Sequence, residues 1–246
     1  MKIYYRISES SNSHHVDTRS WQKKLPNATK KNCLLNVIDK FPNAEIHLFA
    51  DSISEETWDW IQSLNINSKK INQGSDAKSM RVLLEYAIKE RDDEVILFQE
   101  DDYLYLDGSE HKMQEALKYS DYVTGYLHPD KFIDPSKGGN PFTTGDNISE
   151  LTRVVTTSDH FWMLTNSTTN TFMTKAKTIK EDLDIWEWGT SDLTNTHDFA
   201  IFLKLREKGR TLLQPLPSLS THCMFGFEAP TIGLSIGSWE EIDIRI

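Results

Sequence analysis

Short apolar runs alternate with stretches of helical period along the N-terminal part of the chain. Lys2 to Ile7 mixes β-branched and aromatic residues and predicts a first strand. Ser8 to Ser20 is polar and predicts a surface loop, which takes His14 and His15 with it. A helix is expected from Pro26-Asn27, because Cys33, Leu34, Val37, Ile38 and Phe41 recur on one face. Pro42-Asn43 stops it. Glu45 to Ala50 predicts a second strand, ending at Asp51. Ser54 can cap the next helix, and Glu55 and Glu56 suit its positive end. Lys69 to Asn72 predicts a third strand, and Gly74-Ser75-Asp76 a turn into a helix reaching about Arg91. Val95 to Phe98, within Glu94 to Gln99, is apolar without alternation, the pattern of a buried parallel strand. The order β-α-β-α-β-α-β predicts an α/β chain, a parallel sheet covered by helices.

The second part is less regular. Residues 109–119 predict a helix and Asp121 to Leu127 a strand. Residues 128–150 form a long loop rich in proline, glycine and aspartate, and loops of that length tend to serve function. Arg153 to Thr157 and Phe161 to Leu164 are strand-like, interrupted by Ser158-Asp159-His160. Thr168 to Asp182 predicts a helix. Asp198 to Lys208 predicts another, with Phe199, Phe202, Leu203 and Leu205 inward and Gly209 ending it. Thr211 to Gln214 predicts a strand, and the tail after His222 carries no clear pattern. With no repeat and no linker, the expectation is one domain with a mixed, mainly parallel sheet.

The apolar run before Glu100 leads straight into Glu100-Asp101-Asp102. In open α/β sheets ligands bind at the carboxyl ends of strands. Three adjacent carboxylates repel one another, and a hard divalent cation, Mg²⁺ or Mn²⁺, would compensate them. The plainer alternative is a solvated acidic turn. The net charge of −10 over 246 residues argues against a nucleic-acid partner, which normally meets a basic face. It leaves a nucleotide open. Two cysteines give no disulfide framework and fit a reducing compartment. The start lacks the apolar segment of a signal peptide, and no run approaches the length of a membrane span. A cytoplasmic location is the expectation, with peripheral membrane contact left open.

Two stretches together resemble the GT-A fold glycosyltransferases, family 2 in particular. The first is Gly74-Ser75-Asp76-Ala77-Lys78-Ser79-Met80-Arg81 followed by Val95 to Asp102, similar to the family's glycine-started helix, strand and D-x-D signature. The second runs from His197-Asp198 through Leu205-Arg206 and Gly209 to Pro217 and His222. It is similar to the segment E-D-x-x-L-x-x-R-L-x-x-x-G with its later proline strand and histidine. Ser79-Met80 stands where the family usually has Arg-Asn, Glu100 replaces the first aspartate, and His197 replaces the glutamate of E-D. The Q-x-x-R-W element of processive synthases is absent.

The resemblance implies a metal-dependent transfer of sugar from a nucleoside diphosphate sugar, UDP-sugar by preference, to a glycan or other hydroxyl acceptor. It implies inversion without processivity. Residues 1–105 would form the donor half and 106–246 the acceptor half. Asp102 and His222 would hold Mn²⁺ or Mg²⁺, with Glu100 and Asp101 turned to ribose or bound water. Arg6, Ser8 and Asp51 would read base and ribose, and Lys78 or Arg81 would meet phosphate. Asp198 would be the general base, with Asp159 its rival. Trp162, Trp186 and Trp188 are candidates to stack on sugar rings, and the loop 128–150 for a lid. A sugar nucleotidyltransferase and a non-catalytic sugar-binding module are the alternatives. The first is disfavoured because Ser8 to Ser20 holds no glycine.

Overall fold

The computed structural model describes residues 1–9, 24–141 and 153–242. His14, His15 and the 142–150 part of the long loop lie outside the described residues. In chain order the first elements are β1 (Lys2–Ser8), α1 (Lys30–Lys40), β2 (Glu45–Asp51), α2 (Glu55–Ser63), β3 (Asn67–Ile71), α3 (Asp76–Ala87) and β4 (Val95–Gln99). Next come β5 (Tyr103–Tyr105), α4 (Ser109–Ala116), β6 (Tyr122–Val123), β7 (Val154–Thr156), β8 (Phe161–Thr165) and β9 (Phe172–Lys175). The last are α5 (Ala176–Glu181), α6 (Leu183–Gly189), α7 (Asp198–Glu207), β10 (Leu212–Leu216) and β11 (Ser220–His222). Among the described residues no helix is long and apolar enough to cross a membrane.

These elements form two compact units, each drawn from three stretches of chain. The first takes the described residues of Met1–Thr18, Asn43–Asp101 and Thr169–Lys208. Its strands lie in the order β3-β2-β1-β4-β9. The first four are mutually parallel, with Ser8 beside Asp51 and Asp51 beside Ile71, so their carboxyl ends are level. The expected mixed, mainly parallel sheet flanked by helices is therefore present. Ile3, Tyr5, Leu48, Ile96 and Phe98 are buried in it, and Tyr4 sits edge-on to Phe49, Tyr86 and Phe98. Ser54 and Ser75 cap α2 and α3 through their hydroxyls, which satisfies one orphan N–H of each.

Two expectations fail here. α3 ends at Ala87 instead of Arg91. Beyond it Glu90 is held by Lys2 (2.7 Å) and Tyr4 (2.8 Å), which draws the chain away from the helix path. The helix expected over Thr168 to Asp182 is instead β9 followed by α5. Phe172, Met173 and Thr174 are buried on both faces and pair antiparallel with β4. Three consecutive buried residues satisfy either period, so the pattern alone does not separate the two.

The second unit takes the described residues of Arg19–Pro42, Asp102–Thr168 and Gly209–Ile246. β10 runs parallel to β6 and antiparallel to β8, and β7 continues as the hairpin partner of β8. A separate ladder joins β5 to β11, with Tyr103 opposite His222 and Tyr105 opposite Ser220. α1 begins at Lys30, later than expected, because Thr29 accepts from Asn32 N and caps it. Its buried Asn36 bonds both backbone groups of Tyr105, at 2.7 and 3.2 Å, and so occupies an edge of β5 that pairs with no strand among the described residues. Only Tyr122–Val123 of the strand expected over 121–127 forms. Cys33 and Cys223 are free and buried.

Candidate functional site

At the carboxyl end of β2 in the first unit, Asp51 is fully buried. Its Oδ1 accepts from the backbone N–H of Gln73 (2.8 Å) and Gly74 (3.1 Å) and from Ser52 Oγ (3.0 Å). Its Oδ2 accepts from Ser79 Oγ at 2.6 Å and lies 3.8 Å from Arg6. Burial pushes this carboxyl up, but the hydrogen bonds from Ser79, Gly74, Gln73 and Ser52 outweigh it and hold the group below its ordinary value. A carboxylate has about four lone-pair sites; two take the backbone N–H groups of Gln73 and Gly74, and the hydroxyls of Ser52 and Ser79 lie against the others. Asp51 therefore fixes the turn before α3, with Gly74 at φ +67°.

A second carboxylate, Asp76, is the hub of what remains, and the sequence reading gave it no more than a turn. Its Oδ2 accepts from Thr196 N (2.9 Å) and Asn170 Nδ2 (3.3 Å), and its Oδ1 lies 3.8 Å from Arg6. Around it Arg6 Nε, Asn170 Oδ1 and Thr196 Oγ1 are buried without a hydrogen-bond partner among the described residues. Each such atom forgoes about 1–3 kcal/mol, so these three polar groups converging beside one carboxylate call for an explanation. Asn170 and Thr196 were not legible in advance, since neither sits in a motif.

Also in this unit, Ser8 N donates to Asp101 Oδ2 at 2.9 Å, tying the first strand to the acidic triplet. Glu100 is held through its backbone N–H to Thr171 Oγ1 (3.2 Å). Lys78 is exposed in the first turn of α3. Arg81 is committed elsewhere: Nε donates to Thr190 Oγ1 and Nη2 to the Glu187 carbonyl, each at 3.1 Å, so it ties α3 to the end of α6. Asp198 opens α7, half-buried, with Oδ1 accepting from Phe199 N at 2.7 Å. Trp186 is fully buried against Phe172, so it is core. Trp188 is exposed beneath the Lys204 ammonium.

In the second unit Asp102 Oδ2 lies 3.1 Å from His222 Nε2 and 3.2 Å from Lys24 Nζ. The two ends of this pair are 120 residues apart. The β5–β11 ladder brings them together, and Cys223 N donating to the Asp102 carbonyl (2.8 Å) extends it. The His222 ring lies flat on Tyr103, centroids 5.0 Å apart and 7° from parallel, with Tyr126 edge-on. Burial would raise the Asp102 carboxyl, but the charges and hydrogen bonds of His222 and Lys24 hold it far below the ordinary range. Asp102 is thus an anion at neutral pH. Lys24 was missed because a pair of lysines ahead of a helix, Lys23-Lys24, reads as ordinary surface charge.

Whether these donors fit a divalent cation can be tested on geometry. Adjacent ligands of an octahedral ion with bonds of about 2.1 Å lie about 3 Å apart, and the carboxylate oxygen and imidazole nitrogen are 3.1 Å apart. One hard oxygen and one imidazole suit Mn²⁺. Among the described residues no group of three or more His, Cys, Asp or Glu converges as a metal site. The pair would thus need oxygens of a bound molecule or water to complete a shell. Lys24 already sets a positive charge against the same oxygen.

Asp159 lies in the β7–β8 turn of this unit, 4.0 Å from Lys112. Trp162 is fully buried and donates to Thr157 Oγ1, so it too is core. The described part of the long loop contains two short 3₁₀ turns, Pro129–Phe132 and Pro135–Lys137. Lys131 and Asn140 pin it to Asn166 at 2.7 and 3.0 Å.

The sequence matches no protein-family model and no curated protein. Among solved structures the chain is similar to the galactosyltransferase LgtC in complex with donor and acceptor sugar analogs. The identity is 11% and the TM-score 0.47, over 87% of this chain and 73% of that one. It is similar to a nucleotidyl transferase from Methanothermobacter thermautotroptrophicus, at 8% identity and TM-score 0.49, over 87% and 86%. It is also similar to S. aureus TarS, at 14% identity and TM-score 0.46, over 87% of this chain but 34% of TarS. At these identities and TM-scores nothing about function follows from the likeness, and function has to be read from this chain's own side chains.

Proposed function

We propose that this chain is a metal-dependent glycosyltransferase that takes a sugar from a nucleoside diphosphate sugar, UDP-sugar by preference, and passes it with inversion to a glycan or other hydroxyl acceptor. The observation that carries this reading is the approach of Asp102 to His222 across 120 residues of chain. Asp102 and His222 would hold Mn²⁺ or Mg²⁺. When bound, the cation offsets charge on the leaving diphosphate as a Lewis acid. Arg6, with Asp76, Asn170 and Thr196 around it, supplies the polar groups for base and ribose. Asp101, fixed by Ser8, and Glu100 serve ribose hydroxyls or ordered water, and Lys78 is the cation available to phosphate. Asp198 accepts the acceptor's proton, its carboxylate oriented by Phe199 N, with Asp159 the alternative base.

The test is a thermal-shift panel of nucleoside diphosphate sugars with and without Mn²⁺, beside donor hydrolysis. A specific donor raises the melting temperature by mass action. Asp102→Ala and His222→Ala abolish the Mn²⁺-dependent part and lower hydrolysis by at least about 100-fold. If both variants keep the shift and the hydrolysis, the proposal is wrong. Release of pyrophosphate from a nucleoside triphosphate and a sugar phosphate would identify a nucleotidyltransferase instead. Glycan binding with no response to nucleotide under any condition would identify a binding module.

A further inference from the structure

The second unit contains a cavity of about 630 Å³ that shares no lining residue with the Asp102–His222 pair. That volume lies within the range of small-molecule sites, about 300–1,000 Å³. It opens where the β5–β11 ladder ends at Tyr105, while Asp102 precedes the other end at Tyr103. We propose that this cavity binds a neutral oligosaccharide segment of two or three sugar rings, as a site separate from the groups assigned to nucleotide and metal.

Three features point to that ligand. The first is Phe161, which lines the cavity with 59% of its surface exposed. Its backbone is fixed opposite Thr156 and Leu216, so the direction of its Cβ is set while the ring is left uncovered. An uncovered aromatic face offers stacking to the C–H face of a sugar. The second is charge. Asp107, Asp159 and Glu241 face the cavity with Lys40 and Lys112. Lys40 is already spent on Asp107 (2.6 Å) and Asp39 (2.7 Å). Lys112 and Asp159 stand 4.0 Å apart, beyond hydrogen-bond reach. One offers donors and the other acceptors, which is what a hydroxyl-rich ligand uses. Three carboxylates disfavour an anionic ligand. Burial holds His160 below its ordinary value, so it stays neutral, bonded to the Pro217 carbonyl at 2.8 Å.

The third is pre-organisation. Residues 233–236 with Glu241 and Ile242 form one wall, and the stretch between them tethers it. Trp239 is buried and donates to the Ala229 carbonyl (2.7 Å), Asn27 Nδ2 donates to the Trp239 carbonyl (3.1 Å), and Gly237 N donates to Glu241 (3.1 Å). A site built before its ligand arrives loses less entropy on binding.

The experiment is an oligosaccharide array probed with the labelled full chain in EDTA and without nucleotide, followed by calorimetry on the strongest neutral glycan. Binding to neutral glycans is expected under those conditions, and it would persist if the transferase reading failed. Phe161→Ala weakens it about tenfold, and Phe161→Tyr, which keeps the ring, stays within about twofold. Lys112→Ala weakens it about tenfold. Circular dichroism checks that each variant is folded, and Phe161→Leu, similar in bulk without a π face, repeats the test if alanine is not tolerated. Capture of no neutral glycan, capture of acidic glycans alone, a requirement for metal and nucleotide, or ring-removal variants that bind like wild type would each overturn the proposal.

Discussion

Asp51 anchors the turn before α3 through two backbone N–H groups. Asp51→Ala removes the acceptor of two backbone N–H groups, Gln73 and Gly74, and leaves Arg6 with Asp76 alone. Each orphaned N–H costs about 1–3 kcal/mol, set against relief from taking away a buried charge. Deleting one partner of a buried charged network costs about 3–5 kcal/mol in all. At about 2–4 °C per kcal/mol for a chain of this size, melting falls on the order of 10 °C. Asp51→Asn is milder for a geometric reason. The amide oxygen can keep Gln73 and Gly74. Its NH₂ can donate to Ser79 Oγ, whose own proton can turn to the Ser75 carbonyl 2.8 Å away. The remaining loss is the charge, about 1–2 kcal/mol or roughly 4 °C. Differential scanning fluorimetry at pH 7 reads both, with urea midpoints by two probes as a check. An alanine variant within about 2 °C of wild type would refute the structural role, as would an asparagine variant as unstable as alanine. The sign with pH follows from the lowered folded value. The charge contribution is complete above the unfolded carboxylate value, about 3.9, and is lost as pH falls through the lower folded value. The gap between wild type and Asp51→Asn therefore closes below about pH 4.

On the proposed reading, Lys24 and a metal ion would compete for one oxygen of Asp102. Lys24→Met removes the competitor, and because such part-exposed pairs are worth about 0.2–1 kcal/mol, Mn²⁺ binding by calorimetry tightens about two- to fivefold; weaker binding would assign the lysine to the ligand instead. Trp186→Ala opens a hole beside Phe172 and Phe202 and costs about 3–5 kcal/mol in urea denaturation. Trp188→Ala loses an exposed ring and the Lys204 contact at 4.5 Å, about 1 kcal/mol or less; equal costs would contradict the burial difference.

Local chemistry was readable wherever one signal dominated. Ser54 before two glutamates capped its helix as expected, and the unbroken apolar run before Glu100 became a central strand. Signals with two solutions were not readable. Phe172 to Thr174 fits helix and strand alike until β4 is beside it. The aspartate at the end of β2 fits a ribose ligand or a turn anchor until its five partners are in view.

By itself the sequence determined the alternation of strands and helices in the N-terminal part, the caps of its helices, and an acidic triplet placed just after a buried strand. Those properties depend on period, capping and residue type, which act over a few neighbours. The partnership of that triplet with His222 came from the family resemblance. The tertiary structure alone decided which carboxylates are saturated and which are not, that Lys24 lies against Asp102, that Arg6, Asn170 and Thr196 surround Asp76, and that an uninformative tail walls a cavity through Trp239. Each of those is a contact between residues far apart in the chain, and burial and hydrogen-bond saturation exist only once the chain has closed around them.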